Sequence, residues 1–216
     1  MTAPRARIIH VASGREWRGG QRQVALLATE LAKRAVDQIV VTTAGSRLAE
    51  TLLAAGVPVA AVDWRRAISL AALRTILREA RDTPVVLHAH DAHSLLLAGI
   101  AASLSDARLV VTRRVDFHLR RKGFWVRADR VIAISAAVRD VLIEDGVSPD
   151  RIELIHSGID VESTRRVEPG SVRADLGLPE GAVLAVSVAA LVDHKDHRTL
   201  VEAAALLHPR HPELHW

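Results

Sequence analysis

The 216-residue sequence predicts an α/β protein built on a doubly wound parallel sheet. Three observations predict it. Short runs rich in Val, Ile and Leu alternate with helical patterns along the whole chain, joined by short connections. Several of these runs are continuously apolar, as expected of strands covered on both faces. Finally, glycines and titratable side chains gather just past the strands' carboxyl ends. Right-handed crossovers bring those ends to one edge, where ligands bind in such sheets.

Each element follows from local pattern. Arg7–Ala12 reads as the first strand, and Gln21–Ala35 as a helix with Val24, Leu27 and Leu31 on one face. Gln38–Thr43 is the second strand, and Arg47–Ala55 a helix stopped by Gly56. Val57–Val62 is the third strand. Ser69–Arg81 is a helix with Leu70, Leu73, Ile76 and Leu77 spaced for one face and Ser69 as N-cap. Behind Pro84, Val85–Leu87 opens a fourth strand that ends in His88, His90, Asp91 and His93, and Leu95–Leu104 suits a helix. Arg108–Thr112 and Val131–Ile134 are further strands. Ser135 caps a helix ending at Gly146, and Ile152–Ile155 is the seventh strand. Residues 161–181, with Pro169, Gly170, Gly177, Pro179 and Gly181, read as a linker holding a short helix at Val172–Leu176. Val183–Val188 and Arg198–Leu207 then give one more strand and helix. The expected organisation is therefore residues 1–160, a linker at 161–181, and a second unit from 182 to 216.

Composition narrows the function. Hydrophobic residues make up 49%, enough for a substantial core. No apolar run approaches the roughly 20 residues of a membrane span, and Met1–Arg7 has no signal-peptide pattern. With no cysteines, disulfides, thiolate metal sites and cysteine nucleophiles are excluded, which fits a cytoplasmic protein. Lys+Arg number 29 against 25 acidic residues, a net charge of +4 that argues for no nucleic-acid partner.

Several constellations carry chemistry. Gly19-Gly20 before a helix can let backbone N–H groups approach an anion, although no GxGxxG is present. His88, His90 and His93, with Asp91, invite a metal reading; a metal-dependent hydrolase is one alternative function, and a non-catalytic acceptor-binding subunit is the other. A single catalytic or ligand-contacting histidine, His90, is the preferred reading. Arg114, Asp116 and His118 follow the fifth strand, where arginines beside a carboxylate can hold a phosphorylated or polyhydroxylated ligand. Arg120, Arg121, Lys122 and Arg127 interleave with Leu119, Phe124, Trp125 and Val126, a mixture suited to peripheral contact with a membrane surface or a lipid-linked acceptor, and equally to single-stranded nucleic acid. Lys195 precedes a helix start, a place that suits a diphosphate.

Five stretches together resemble the GT-B glycosyltransferases of family 4. They are Arg18–Gln21 (RGGQ), the histidine-ended fourth strand, Ala128–Ser135 (ADRVIAIS), Arg151–Asp160 (RIELIHSGID) and Leu191–Leu207 (LVDHKDHRTLVEAAALL). The resemblance implies a Rossmann-like N-terminal domain on the acceptor side and the start of a second, donor-binding Rossmann-like domain. It implies retaining transfer of a sugar from a nucleotide diphosphate sugar to a saccharide or lipid-linked acceptor, with no required metal or other cofactor. Gly19, Gly20, Ser157, Gly158 and Lys195 are then donor-side residues. Gln21, Arg114, Asp116 and His118 face acceptor, and His90 orients the reacting groups. The chain departs from the family at Ala189-Ala190, where Gly-Arg is usual, and at Asp196, where glycine is usual. The family's paired donor carboxylates would lie past Trp216, so the 216 residues are expected to act weakly or not at all alone.

Overall fold

The protein is described by a computed structural model, which covers residues 6–64, 68–81, 84–168, 170 and 172–216. Pro169 of the expected linker and the first five residues lie outside these. The chain divides into two compact units, 1–160 and 161–216.

Unit 1 holds β1 (Arg7–Ala12), α1 (Gly19–Lys33), β2 (Gln38–Thr43), α2 (Arg47–Ala54), β3 (Val59–Val62), α3 (Leu70–Glu79) and β4 (Val85–Ala89). It continues with α4 (Ala92–Ser103), β5 (Arg108–Arg113), β6 (Arg130–Ala133), α5 (Ala136–Glu144) and β7 (Ile152–Leu154). The seven strands form one sheet in the order β3-β2-β1-β4-β5-β6-β7, with every pairing parallel. Strand order reverses between β1 and β4. That is the topological switch point, where side chains can converge in a crevice between diverging connections.

The two faces of the sheet carry different layers. Ile9, Val11, Leu87, Ala89, Val111 and Val131 pack with Ile76 of α3, Leu97 and Ala98 of α4 and Leu142 of α5. Ala12 and Val40, on the opposite face, pack with Val24 and Ala28 of α1 and Leu48 and Leu52 of α2. Burying each Leu, Ile or Val contributes roughly 1.5–3 kcal/mol, so these layers hold the strand ends in register.

The differences from expectation are local. α1 begins at Gly19, so Gly19-Gly20 form its first turn instead of a preceding loop. The Gln21 side chain turns back to accept the Arg18 N–H at 3.3 Å, which completes that end. β3 starts at Val59 because Val57 donates to Leu52 O, closing the end of α2. α4 starts three residues early because Asp91 caps it, accepting from Ser94 N–H at 2.8 Å.

Unit 2 contains α6 (Val161–Arg165), α7 (Val172–Asp175), β8 (Val183–Leu184), α8 (His197–Leu207) and β9 (Leu214–His215). α6 occupies part of the stretch read as linker. The expected six-residue strand is reduced to two residues because its partner β9 offers only two. No helix among the described residues is long and apolar enough to cross a membrane.

Candidate active site at the switch point

The site begins in the register of β1, β4 and β5. His10 lies opposite His88, and His88 opposite Val110, so His10 and His88 share the sheet face under α1. His90, two residues further along, projects on that face at the strand's end. The three rings form a buried cluster with centroids 4.0–5.4 Å apart. His10 Nδ1 lies 3.0 Å from His90 Nε2, and His88 Nε2 lies 2.8 Å from Thr112 Oγ1. Arg114, just beyond β5, donates from Nη1 to His90 O at 3.0 Å and brings Nη2 to 3.4 Å from His90 Nδ1. His90 itself leaves both ring nitrogens facing protein groups.

Electrostatics keep these rings neutral. Burial pushes His10 down to about 4, opposed by the side chain of Gln38. Burial likewise holds His88 and His90 well below the usual imidazole range, helped by their mutual proximity and by Arg114. The Arg114 guanidinium is itself lowered by burial and supported by Asp91.

Asp91 ties this cluster to the rim. Its carboxylate accepts from Ser13 N–H at 2.8 Å, Ser13 Oγ–H at 2.6 Å and Ser94 N–H at 2.8 Å. Thr43 Oγ1 donates to Ser13 O at 2.9 Å, so the ends of β1, β2 and β4 are fastened together. Gly14 follows at once, and a Cβ there would fall 2.0 Å from Gln21 Nε2. By contrast, a Cβ on Gly19 or Gly20 would meet nothing within 4 Å, so open space lies over the first turn of α1.

The sequence-predicted residues distribute as follows. His90 and Arg114 meet directly. Gly19 and Gly20 form the first turn of α1, and Gln21 is used in holding that turn and packing on Gly14. The loop after β7 returns to the same edge. His156 Nδ1–H donates to Ile134 O at 2.9 Å, and Gly158 exchanges two hydrogen bonds with the Gln23 side chain, at 2.7 and 3.0 Å. Ser157 is exposed between them. Lys195 is exposed in unit 2, in a 3-10 turn leading to α8. Asp196 has φ 49 and caps α8 through Thr199 N–H. That left-handed backbone is one that glycine adopts at no cost and aspartate tolerates.

Three expectations are corrected. His93 is exposed on the first turn of α4 and does not join His88 and His90; His10 takes its place in the cluster. His118 does not reach the rim. It hydrogen-bonds Asp145 at 3.0 Å, at the end of α5 opposite Ser135, about 13 Å along that helix. Asp116 is exposed and faces Arg113 electrostatically. Of the basic–aromatic segment, Trp125 is buried and Phe124 packs on Gly99, so these aromatics serve the core and not a surface.

The ligand atoms of His10, His88 and His90 lie within 4.8 Å of one another, so the three rings are close enough to be tested as a metal site. The donor set fits one poorly. Two of the nitrogens face each other at hydrogen-bond distance, the neighbouring charge is a guanidinium, and no carboxylate belongs to the group.

The sequence profile described as Glycosyltransferase Family 4 matches residues 17–163. The chain belongs to that family. Among curated relatives, it is 28% identical over 160 residues to alpha-maltose-1-phosphate synthase of Mycobacterium tuberculosis, covering 64% of this chain and 41% of the relative. It is 33% identical over 125 residues to D-inositol 3-phosphate glycosyltransferase of Nocardia farcinica, covering 57% and 27%. Among solved structures, Anabaena Alr3699/HepE in complex with UDP and glucose aligns with TM-score 0.75 at 19% identity, over 93% of this chain and 58% of that one. A glycosyltransferase from Rickettsia africae aligns with TM-score 0.75 at 15% identity, over 94% and 57%. These likenesses establish a GT-B glycosyltransferase fold, and the chain spans less than half the length of the curated relatives it matches.

Proposed function

We propose that this chain supplies the acceptor side of a retaining glycosyltransferase that moves a sugar from a nucleotide diphosphate sugar to a saccharide or lipid-linked acceptor. The observation that carries this reading is the switch-point rim of a family-4 chain, where Arg114 and the open first turn of α1 stand on one sheet edge. Similar folds have been solved with UDP and with UDP-glucose, which supports a nucleotide-sugar donor. Maltose-1-phosphate and inositol 3-phosphate in the relatives' names support an acceptor bearing phosphate, which a guanidinium binds well. In this reading Arg114 touches acceptor, Gly19, Gly20, Ser157 and Gly158 border the donor, and Lys195 neutralises the leaving diphosphate. Transfer needs no metal, because cations and oriented N–H groups can stabilise the departing charge. His90 acts through Arg114.

Calorimetric titration with UDP-, GDP- and ADP-sugars, in EDTA, tests the donor half. Saturable binding of one nucleotide sugar, weakened by Lys195→Ala, is expected. Chelator-sensitive hydrolysis with stoichiometric bound zinc, and no nucleotide-sugar binding, would overturn the proposal in favour of a metal-dependent hydrolase. The anomer formed, read by proton NMR on any product, tests retention.

A further inference from the structure

We propose that His10, backed by Gln38, is a positioning residue: it fixes the tautomer of His90 and so holds the Arg114 guanidinium in place at the rim. The argument is one of donors and acceptors. Arg114 Nη2 can only donate, so His90 Nδ1, 3.4 Å away, must be the bare nitrogen. The His90 proton is then on Nε2, and it points at His10 Nδ1, 3.0 Å away, which must accept. The His10 proton is consequently on Nε2. That nitrogen and Gln38 Oε1 are both buried and neither has an ordinary hydrogen-bond partner among the described residues. Each is the other's complement, since Gln38 Nε2 is already committed to Ala28 O of α1 at 2.7 Å.

A directed order results: Arg114 to His90 and His90 to His10, with the His10 Nε2–H left to the Gln38 side chain, whose own amide N–H is fixed on the backbone of α1. Every proton position follows from the guanidinium at one end and the carbonyl at the other. Reversing either histidine would set two N–H groups against each other in a buried site, costing the desolvation of both. Protonating His90 would set an imidazolium against Arg114. His88 stands outside this order, paired with Thr112 at 2.8 Å. The consequence for function, which rests on the acceptor-side reading above, is that Arg114 presents its charge in one orientation before any ligand arrives. Such preorganisation lowers the cost of binding.

The test is nitrogen-15 NMR of the histidine rings in the 216-residue chain, with peaks assigned by single-site variants. His10 and His90 are both expected as neutral Nε2–H tautomers. In His10→Asn the amide oxygen can replace Nδ1 as acceptor, so the His90 shifts should stay near wild type. In His10→Leu they should move toward a mixture of tautomers. Binding of inorganic phosphate should weaken about tenfold in His10→Leu and recover in His10→Asn. A purely packing role predicts the reverse order, because leucine is the better core residue. A wild-type His90 carrying its proton on Nδ1 would overturn the proposal, as would zinc at one equivalent shifting the nitrogens of all three rings. Unchanged His90 shifts in a folded His10→Leu would do the same. If His10→Leu fails to fold, the wild-type tautomers and His10→Asn still decide. These readings are independent of nucleotide-sugar binding, so loss of the transferase reading would leave them standing.

Discussion

The two units show what a helical pattern needs before it becomes a stable layer. In unit 1, α4 sinks Leu97 and Ala98 completely against β4 and β5, whose own residues are equally covered. In unit 2, α8 has just as regular an apolar pattern, yet Val201 and Leu206 are exposed, and Val188 and Leu191 stand 94% and 89% open. Ala182 is the only buried residue among those described there. The local chemistry is alike: Asp91 caps α4, and Asp196 caps α8. What differs is the sheet beneath, seven strands against two. Capping and propensity write the helix, and long-range pairing supplies the burial that stabilises it.

The largest expected effect breaks this comparison directly. Amide hydrogen exchange should show β1 and β4 opening only with global unfolding, on the order of 5–15 kcal/mol, and α8 opening at close to zero. Equal protection in the two units would show that local pattern alone stabilises α8.

Acid should act on unit 1 through its histidines. A buried imidazole held near 4 stays neutral while the unfolded chain takes up a proton below about 6.5. The unfolded state then binds more protons, so stability falls as pH falls through that window and is fully present above it. For His10 alone the loss by pH 4 is about 3 kcal/mol, and His88 and His90 add to it in the same direction. Denaturant unfolding between pH 7 and 4 checks this, and His10→Leu should flatten the slope.

Asp91→Ala removes one acceptor from three donors and should cost about 2–3 kcal/mol by thermal unfolding. The equivalent cap in unit 2, Asp196→Ala, should leave the main transition unchanged. Two helical glycines separate packing from propensity. Gly99→Ala should destabilise by about 1–3 kcal/mol, because a Cβ would sit 2.2 Å from the Phe124 ring. Gly19→Ala meets open space and should stabilise by up to about 1 kcal/mol.

These residues also mark what was legible in the sequence. Strand and helix order, the serine caps Ser69 and Ser135 and the edge on which His90 and Arg114 meet all come from patterns within about ten residues. The corrections come from longer range. His10 sits alone in an apolar strand, and its role appears only when register sets it opposite His88, 78 positions away. His118 lies four residues from Arg114, but Asp145 draws it to the far end of α5. Trp125 and Phe124 look like surface aromatics among four basic residues, yet Gly99 makes the notch that receives Phe124. A lone histidine in IIHVA and a glycine inside an alanine-rich helix were the available signals; neither names its partner.

The smallest effect sharpens the boundary between the units. Gln23 is an α1 side chain that both donates to Gly158 O and accepts from Gly158 N–H, joining the first helix of unit 1 to its last loop. Both groups are partly solvated, so Gln23→Ala should cost about 1 kcal/mol or less in global stability. Its local effect is larger, because water replaces both bonds and the loop from Ile155 to Asp160 loses its tie to α1. Exchange of the Gly158 amide should therefore quicken while β1 and β4 keep their protection. Gln23→Glu keeps the acceptor for Gly158 N–H and gives up the donor to Gly158 O, so it should fall between the two. If Gly158 exchanges as slowly in Gln23→Ala as in wild type, the loop is held by its strand and by His156, and the end of unit 1 is set by the sheet alone.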